Sequence, residues 1–286
     1  MRDQAEQLRE KLLQKHKGEA KTIAIVSGKG GVGKSNVALN FALSLSKKKK
    51  KVLLFDLDIG MGNIDILLGL SPKYTIVNLF HDQLSIHDII EVGPESLSYI
   101  AAGTGLSDIF QLDEEKFNFF LDQFQSLLNI YDFILFDMGA GISVESLHYV
   151  LAANECFVVT TTEPTSMTDA YGMIKHIAKR DSKLPMYLLV NRAYNDSSGK
   201  ETMKRLQNVV QQFLSLDLNP LGILPDDRTV TRAVSRQIPF LLFDQKAMVS
   251  VAMEHIVNQY LEEHIDLSKK LPFTFVSRLK HYLLER

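Results

Sequence analysis

Residues 23–35 read IAIVSGKGGVGKS, and this stretch decides the fold of the 286-residue chain. An apolar run typical of a buried strand leads into a glycine-rich loop, and a helix-like run, NVALNFAL, follows at 36–43. A strand, a G-x-x-x-x-G-K-[ST] loop and a helix in this order form a P-loop, whose backbone N–H groups and helix N-terminus surround phosphate oxygens. We expect Lys34 to contact the β- and γ-phosphates and Ser35 to coordinate Mg²⁺. The predicted nucleotide-binding loop consists of Gly28, Lys29, Gly30, Gly31, Val32, Gly33, Lys34, Ser35 and Asn36.

Strand-like and helix-like segments alternate from residue 21 to residue 265. Runs such as KVLLFD and DFILFD are almost continuously apolar, which is typical of parallel strands buried on both faces. The alternation predicts an α/β fold, a doubly wound, mostly parallel sheet of about seven to eight strands flanked by helices. Such sheets bind ligands at the carboxyl ends of their strands. The predicted strands are 21–27, 51–57, 97–102, 132–137, 155–161, 185–191 and 220–224, and the predicted helices are 34–46, 114–129, 165–180, 199–215 and 246–264.

The amino-acid composition excludes several classes of protein. Hydrophobic residues make up 45% of the chain and the formal net charge is −2, so no overall attraction to nucleic acid is indicated. The single cysteine, Cys156, excludes an internal disulfide and a cysteine-ligated cluster within one chain, and its apolar neighbours predict a buried thiol. The N-terminal segment lacks the apolar core of a signal peptide, and no uncharged apolar run reaches membrane-spanning length. We therefore expect a cytoplasmic protein.

Three aspartates lie at the ends of predicted strands. Asp56 and Asp58 are two residues apart in FDLDIGMGNID, so strand alternation would direct them to the same side. Asp137 ends the strand DFILFD, and an acidic residue here beside a P-loop is typical of one that holds Mg²⁺ through its water shell. Asp58 is a second candidate near the metal. For Asp56, capping or support of the loop fits the pattern as well as a chemical role does.

Five motifs, in this order, resemble those of the MinD/ParA family of deviant Walker A P-loop ATPases. They are GKGGVGKS with its additional Lys29, FDLDIGMGNID, FDMGAG, VNR at 190–192 and LPDD at 224–227. The resemblance implies hydrolysis of ATP to ADP and phosphate with Mg²⁺, by two ATP-bound protomers that stack face to face. It also implies that Lys29 crosses to the partner's phosphates, like an arginine finger supplied in trans, and that Asp58 orients or deprotonates the attacking water.

The same resemblance implies roles for the remaining site residues. Asn63 would lie at the dimer face, and Asn191 would read the edge of the adenine base. Arg192, Pro225 and Asp226 would form the rest of the base pocket. The residues after Asn191 lack the base-reading carboxylate of guanine-specific Asn-Lys-x-Asp segments, which favours ATP over GTP. From the residues alone, a simple strand-end turn at 191–192 stays open as an alternative. The catalytic residues implied by the resemblance are Lys29, Lys34 and Asp58.

The C-terminal segment PFTFVSRLKHYLLER has apolar residues at helical spacing with basic residues between them. The pattern allows either a basic amphipathic helix that lies in a membrane surface or an ordinary terminal helix packed on the core. Resemblance to MinD-type proteins, which end in a membrane-targeting helix, favours an anionic membrane surface, and a dimer with two such helices would bind more strongly than a monomer. The predicted membrane-contacting residues are Phe273, Phe275, Val276, Leu279, Tyr282 and Leu283.

The N-terminal segment has capping-box spacing at Asp3 and Glu6 and a narrow apolar stripe, which is typical of a helix that orders on a partner. Its stretch DQAEQLR resembles the start of the flagellum-regulating members of the family. That resemblance implies binding to the signal-recognition-type GTPase FlhF, stimulation of its GTP hydrolysis, and a role for Gln4 at the GTPase site. Flagellar basal-body or C-ring proteins are further candidate partners. The predicted partner-binding residues are Asp3, Gln4, Ala5, Gln7 and Leu8.

These expectations divide the chain into a partner-binding segment (1–20), an ATPase domain (21–266) and a membrane-targeting tail (267–286). The expected protein is an ATP-dependent homodimer that associates peripherally with the inner face of the cell membrane and regulates flagellar number or placement. A division-site or partition ATPase is the first alternative, and a partition protein would bind DNA on a basic dimer surface. A tyrosine kinase of this fold is a second, and a nucleotide-binding scaffold without turnover is a third.

Overall fold

The computed structural model describes residues 19–58, 62–82, 84–103, 114–141, 144–263 and 274–284. The predicted partner-binding residues at 3–8 and the predicted membrane residue Phe273 lie outside these ranges, as does the side chain of Leu283. None of the helices in the described ranges contains an apolar stretch of membrane-spanning length.

A central sheet contains eight described strands: β1 (Lys21–Val26), β2 (Val52–Leu57), β3 (Glu91–Val92), β4 (Ser98–Ile100), β5 (Phe133–Met138), β6 (Glu155–Thr161), β7 (Met186–Ala193) and β8 (Asn219–Pro225). Their order is β3-β4-β2-β5-β1-β6-β7-β8. Only β3, among these strands, pairs antiparallel with its neighbour. The predicted doubly wound, mostly parallel sheet is confirmed, and the two-residue edge strand β3 was not predicted. Because β5 lies between β1 and β2, the strand that enters the P-loop is close to both strands that carry aspartates.

The described helices flank this sheet. They are α1 (Lys34–Lys47), α2 (Ile64–Leu68), α3 (Ile76–His81), α4 (Glu114–Leu128), α5 (Val144–Ala152), α6 (Pro164–Arg180), α7 (Asp196–Leu214), α8 (Arg228–Ser235), α9 (Phe240–Phe243), α10 (Met248–Glu263) and α11 (Phe275–Leu284). The five predicted helices are confirmed as α1, α4, α6, α7 and α10, with ends shifted by at most three residues. The helices α2, α3, α5, α8 and α9 have nine residues or fewer, too few for a clear helical period in the sequence.

The sheet buries one hydrophobic cluster on each face. On one face, α1 and α10 pack against each other and against the sheet, and the ring of Phe41 packs edge-on against Phe157 at 5.3 Å and Tyr260 at 5.5 Å between ring centroids. Such aromatic pairs contribute about 0.5–1.5 kcal/mol beyond the area they bury. The packing therefore holds the N-terminus of α1, where Lys34 begins the helix, at the carboxyl edge of the sheet.

The last helix, α11, packs on the other face, against α4 and α5. Phe275 is only 2% exposed, and its ring centroid lies 4.9 Å from that of Phe124 and 5.0 Å from that of Phe136. Leu279 is fully buried beside it. Of the two structures that the C-terminal pattern allowed, the chain therefore adopts the terminal helix packed on the core. The core covers both side chains in this conformation, so their predicted contact with a membrane would require α11 to leave its site and stays a prediction.

Polar contacts reinforce the position of α11. Arg278 donates a hydrogen bond to the backbone oxygen of Leu151 at 2.7 Å and forms an ion pair with Asp181 at 3.3 Å. The Tyr282 hydroxyl also donates to the Asp181 carboxylate, at 3.3 Å. Val276 and Tyr282, two more of the predicted membrane residues, are partly buried against the same cluster. Arg278 and the apolar residues Phe275 and Leu279 of α11 are thus all used within the fold.

Candidate nucleotide-binding site

The predicted P-loop lies between the end of β1 at Val26 and the start of α1 at Lys34, which confirms the strand–loop–helix order. Gly33 has a φ of +90°, a left-handed conformation that favours glycine. At Gly28, a Cβ atom would lie 2.2 Å from the backbone carbonyl of Asp169 in α6. Any side chain at residue 28 would therefore push α6 away, so the glycine is required by this close approach of two backbone segments.

Lys34 and Asp137 form a buried ion pair beneath the loop, with 6% and 0% of their side chains exposed. The second carboxylate oxygen of Asp137, Oδ2, is buried and has no hydrogen-bond partner among the described residues. A buried acceptor oxygen without a partner is suited to accept a hydrogen bond from a water molecule that is bound to a cation. Within the described ranges no three or more His, Cys, Asp or Glu side chains are grouped to hold a metal ion. The residues therefore fit Mg²⁺ held mainly by phosphate and water oxygens, as is usual when Mg²⁺ binds with a nucleotide.

Asp56 lies directly opposite Asp137, one strand away, in the pairing of β2 with β5. Its carboxylate accepts hydrogen bonds from the backbone N–H groups of Asp58 (3.0 Å), Asn63 (2.9 Å) and Ile64 (3.2 Å). Burial and the neighbouring Asp137 charge raise the pKa of Asp56 to about 7. The role that the sequence left open for Asp56 is thus support: it holds both ends of the loop that follows β2.

Asp58 follows β2 and approaches the end of β5, where a Cβ atom on Gly139 would lie 3.2 Å from its Oδ1 atom. Burial raises the pKa of Asp58, and the nearby charge of Lys34 partly opposes that rise. The side-chain oxygen of Asn63 is buried without a hydrogen-bond partner among the described residues. The structure therefore brings Asp58, Asp137 and Lys34 together at one edge of the sheet, as the sequence predicted.

Lys29, the additional lysine of the loop, contacts its own chain. Its Nζ atom donates to Oε2 of Glu163 at 2.7 Å and to Oγ1 of Thr165 at 3.1 Å. Glu163 is the N-cap residue of α6 and Thr165 is the second residue of that helix. Neither residue was predicted from the sequence. Their signal was their place directly after the apolar strand β6, at the carboxyl edge where ligands bind.

The predicted base-binding segments are brought together at the ends of β7 and β8, where Pro225 pairs with Ala193 and the backbone N–H of Asp226 donates to Ala193 at 2.9 Å. Arg192, which has a φ of +52°, is exposed there. Asn191 is buried, and its side-chain amide donates to the backbone oxygen of Val32 at 2.8 Å. In this structure that amide supports the P-loop, an interaction that the sequence did not predict. Its reading of adenine stays a prediction.

A loop of this geometry at the carboxyl edge of a parallel sheet, with a lysine on a strand-end aspartate, defines a P-loop nucleotide-binding protein. The family model described as "CobQ/CobB/MinD/ParA nucleotide binding domain" matches residues 23–240. The chain belongs to this family.

Two relatives indicate to which branch of the family the chain is similar. The chain is 34% identical over 215 residues to the antiactivator FleN of Pseudomonas aeruginosa, covering 75% of this chain and 77% of the relative. It is 31% identical over 285 residues to the flagellum site-determining protein YlxH of Helicobacter pylori, covering 94% and 92% of the two chains. These proteins support the resemblance to the flagellar members of the family, which are called FlhG, YlxH or FleN.

Solved structures support the fold. The septum site-determining protein MinD from Pyrococcus horikoshii, complexed with Mg-ADP, matches with a TM-score of 0.71 and 24% identity, over 88% of this chain and all of that one. At that identity the similarity shows the fold alone. The fold class predicted from the sequence is thereby confirmed by an independent comparison.

Proposed function

We propose that this chain is an ATPase that acts as a molecular switch, in which ATP assembles two protomers and hydrolysis releases them. The observation that carries the proposal is the cluster at the carboxyl edge of the sheet. Lys34 contacts Asp137 there, Asp58 lies beside Gly139, and a second lysine, Lys29, extends from the same loop. Positioned cations and carboxylates of this kind are what phosphoryl transfer requires, since the protein contributes mainly orientation and charge stabilisation.

Each residue of the cluster has a distinct proposed role. Lys34 would leave Asp137 for the β- and γ-phosphates, and the Ser35 hydroxyl and the water shell on Asp137 would hold Mg²⁺. When bound, the ion would neutralise charge on the phosphate oxygens. Asp58, kept near Lys34 by the loop that Asp56 supports, would orient the attacking water. Lys29 would reach the phosphates of the partner protomer, with Asn63 at the face between them.

The base would bind between the ends of β7 and β8, near Arg192, Pro225 and Asp226. These residues lie together because β7 and β8 are paired neighbours. Asn191 would contribute the adenine contact from its position against the P-loop, where its carboxamide oxygen is left for the base. Selection of ATP over GTP is part of the proposal.

A flagellar role is the proposed biological setting, supported by the relatives FleN and YlxH. The segment 1–20 would bind the GTPase FlhF and stimulate it through Gln4, and flagellar basal-body or C-ring proteins would be further partners. The tail at 267–286 would carry the protein to the inner face of the cell membrane. Since Phe275 and Leu279 are buried on the core, membrane binding requires that α11 first leaves its site. A MinD-like role at the division site is the alternative, supported by similarity to the septum site-determining protein MinD of Bacillus subtilis, which is 31% identical over 254 residues.

The test compares ATP turnover and assembly state of the parent with Lys29→Ala and Asp58→Ala. Loss of one positioned group that stabilises the charge of the transition state costs about 10²- to 10³-fold in rate. We expect both variants to lose turnover at this scale, measured as phosphate release with anionic vesicles present. Lys29→Ala should also stay monomeric with ATP in sedimentation velocity runs.

The control is Lys200→Ala, which removes an exposed lysine paired with Asp196 on α7 and should leave both readouts unchanged. A parent that remains monomeric at saturating ATP, together with full turnover in Lys29→Ala, would contradict the proposal.

A further inference from the structure

Lys29 contacts two residues of its own chain. Its ammonium group lies between the Glu163 carboxylate and the Thr165 hydroxyl, both at the first turn of α6. Its own backbone oxygen accepts a hydrogen bond from the Ser27 hydroxyl at 3.0 Å, which holds the loop backbone at residue 29. The lysine is therefore held at both ends, by the loop and by the helix.

The position of the ammonium group is electrostatically unusual. The N-terminus of a helix carries partial positive charge, so a cation is disfavoured there. The Glu163 carboxylate opposes this partial charge, and the hydrogen bond and charge of Lys29 in turn lower the pKa of Glu163. Glu163 makes no side-chain cap contact with α6. The carboxylate is thus directed at the lysine and not at the helix it precedes.

We propose that Glu163, assisted by Thr165, holds Lys29 on its own protomer and thereby opposes assembly of the ATP-bound dimer. The inference rests on the proposed function, in which Lys29 must reach the partner's phosphates. Lys29 would then have two alternative positions. In the cis position it pairs with the Glu163 carboxylate at α6, and in the trans position it would contact the triphosphate of the partner protomer.

The size of the effect follows from the exposure of the pair. The side chains of Lys29 and Glu163 are 31% and 64% exposed, and exposed ion pairs shift equilibria by roughly 1.4- to 5-fold each. A symmetric dimer breaks two of them. Removal of the carboxylate should therefore lower the dimer dissociation constant roughly 2- to 30-fold. A change of this size would shift the monomer–dimer equilibrium and still leave it reversible.

The assembly experiment uses the full chain with a non-hydrolysable ATP analogue and measures the dimer dissociation constant by sedimentation equilibrium. Glu163→Gln keeps the shape of the side chain and removes its charge, so it should tighten the dimer. Thr165→Val should act in the same direction and more weakly. The matched control is Glu201→Gln, which removes an exposed carboxylate paired with Arg205 on α7.

Salt provides an internal check, because screening weakens exposed pairs. The difference between the parent and Glu163→Gln should shrink between about 50 mM and about 500 mM salt, where the Debye length falls to a few ångströms. An unchanged or weaker dimer in Glu163→Gln would overturn the proposal, since a weaker one would mean that Glu163 supports the assembled state.

A second measurement reports the contact without any assembly. In the nucleotide-free chain, limiting amounts of an amine-acylating reagent should modify Lys29 faster in Glu163→Gln than in the parent, as read by peptide mass spectrometry. Unchanged labelling in a parent that dimerises would remove this inference and leave the proposed function standing. Faster labelling with no ATP-dependent dimer in any variant would refute the proposed function, and with it the role given to Glu163.

Discussion

Replacing Phe275 by alanine should release the last helix, α11, from the core. The Phe275 side chain is 2% exposed, and its ring contacts those of Phe124 and Phe136 at centroid distances of 4.9 and 5.0 Å. Truncation of a buried phenylalanine typically costs about 3–5 kcal/mol, as lost transfer free energy and as a cavity. Because the helix is a terminal element, we expect this cost to appear as undocking of α11 and not as unfolding of the sheet.

The expected change can be stated as an equilibrium. Since about 1.4 kcal/mol corresponds to a factor of ten, the equilibrium between docked and undocked α11 should shift towards undocking by about a hundredfold or more. Amide hydrogen exchange, followed by peptide mass spectrometry, measures this directly, because local opening and global unfolding have separate exchange rates. Amides of α11 should exchange faster by that factor, while those of β1 and β5 keep their protection.

The matched control is Lys280→Ala, which changes an exposed residue of the same helix and should leave exchange in α11 nearly as it is. Two results would refute the reasoning. One is unchanged protection of α11 in Phe275→Ala. The other is equal acceleration in α11 and in the central strands, which would mean that the helix opens only when the whole core unfolds.

Two further predictions concern buried ionisable groups. Burial and the Asp137 charge raise the pKa of Asp56 from 3.8 to about 7, so the folded chain binds a proton that the unfolded chain releases. This proton contributes fully to the free energy of unfolding below pH 3.8, and its contribution is lost as the pH rises to about 7. Asp56→Asn should reduce this fall in the free energy of unfolding, measured by urea titration of the nucleotide-free protein at several pH values, and an identical slope in both proteins would contradict the explanation. Burial also raises the pKa of the Cys156 thiol, so iodoacetamide at pH 8 should label it only when urea unfolds the chain, and rapid labelling of the folded protein would show that the site opens.

Much of the fold could be predicted because the local signals are strong. Apolar runs mark the parallel strands, and the loop at residues 28–35 marks the place where β1 meets α1. The two-residue strand β3 has too few residues for an alternation to show. The short helices α2, α3, α8 and α9 are likewise below the length at which a period becomes visible. Helices this short are stabilised mainly by tertiary contacts, and local sequence patterns do not show which residues make those contacts.

The candidate site was predictable in part. Asp58 and Asp137 were expected near the P-loop because they end apolar strands, and the structure brings both to Lys34. The partners of Lys29 were not expected, since Glu163 is separated from it by 134 residues. Asn191 likewise contacts Val32 across 159 residues. Contacts between residues so far apart in the sequence depend on which strands are adjacent in the sheet. The local spacing of residues does not predict that strand order.

The sequence by itself determined that the chain is a parallel α/β nucleotide-binding protein, because glycine positions and apolar runs act over a few neighbouring residues. The tertiary structure decided what individual side chains do. Asp56 became a support for the loop after β2, through three backbone hydrogen bonds. The tail pattern was compatible with two surfaces, and the apolar side chains of α11 took the one formed by Phe124 and Phe136. The physical reason is that hydrophobic burial is not directional: an amphipathic helix specifies that one face is covered, and only the folded neighbours specify by what.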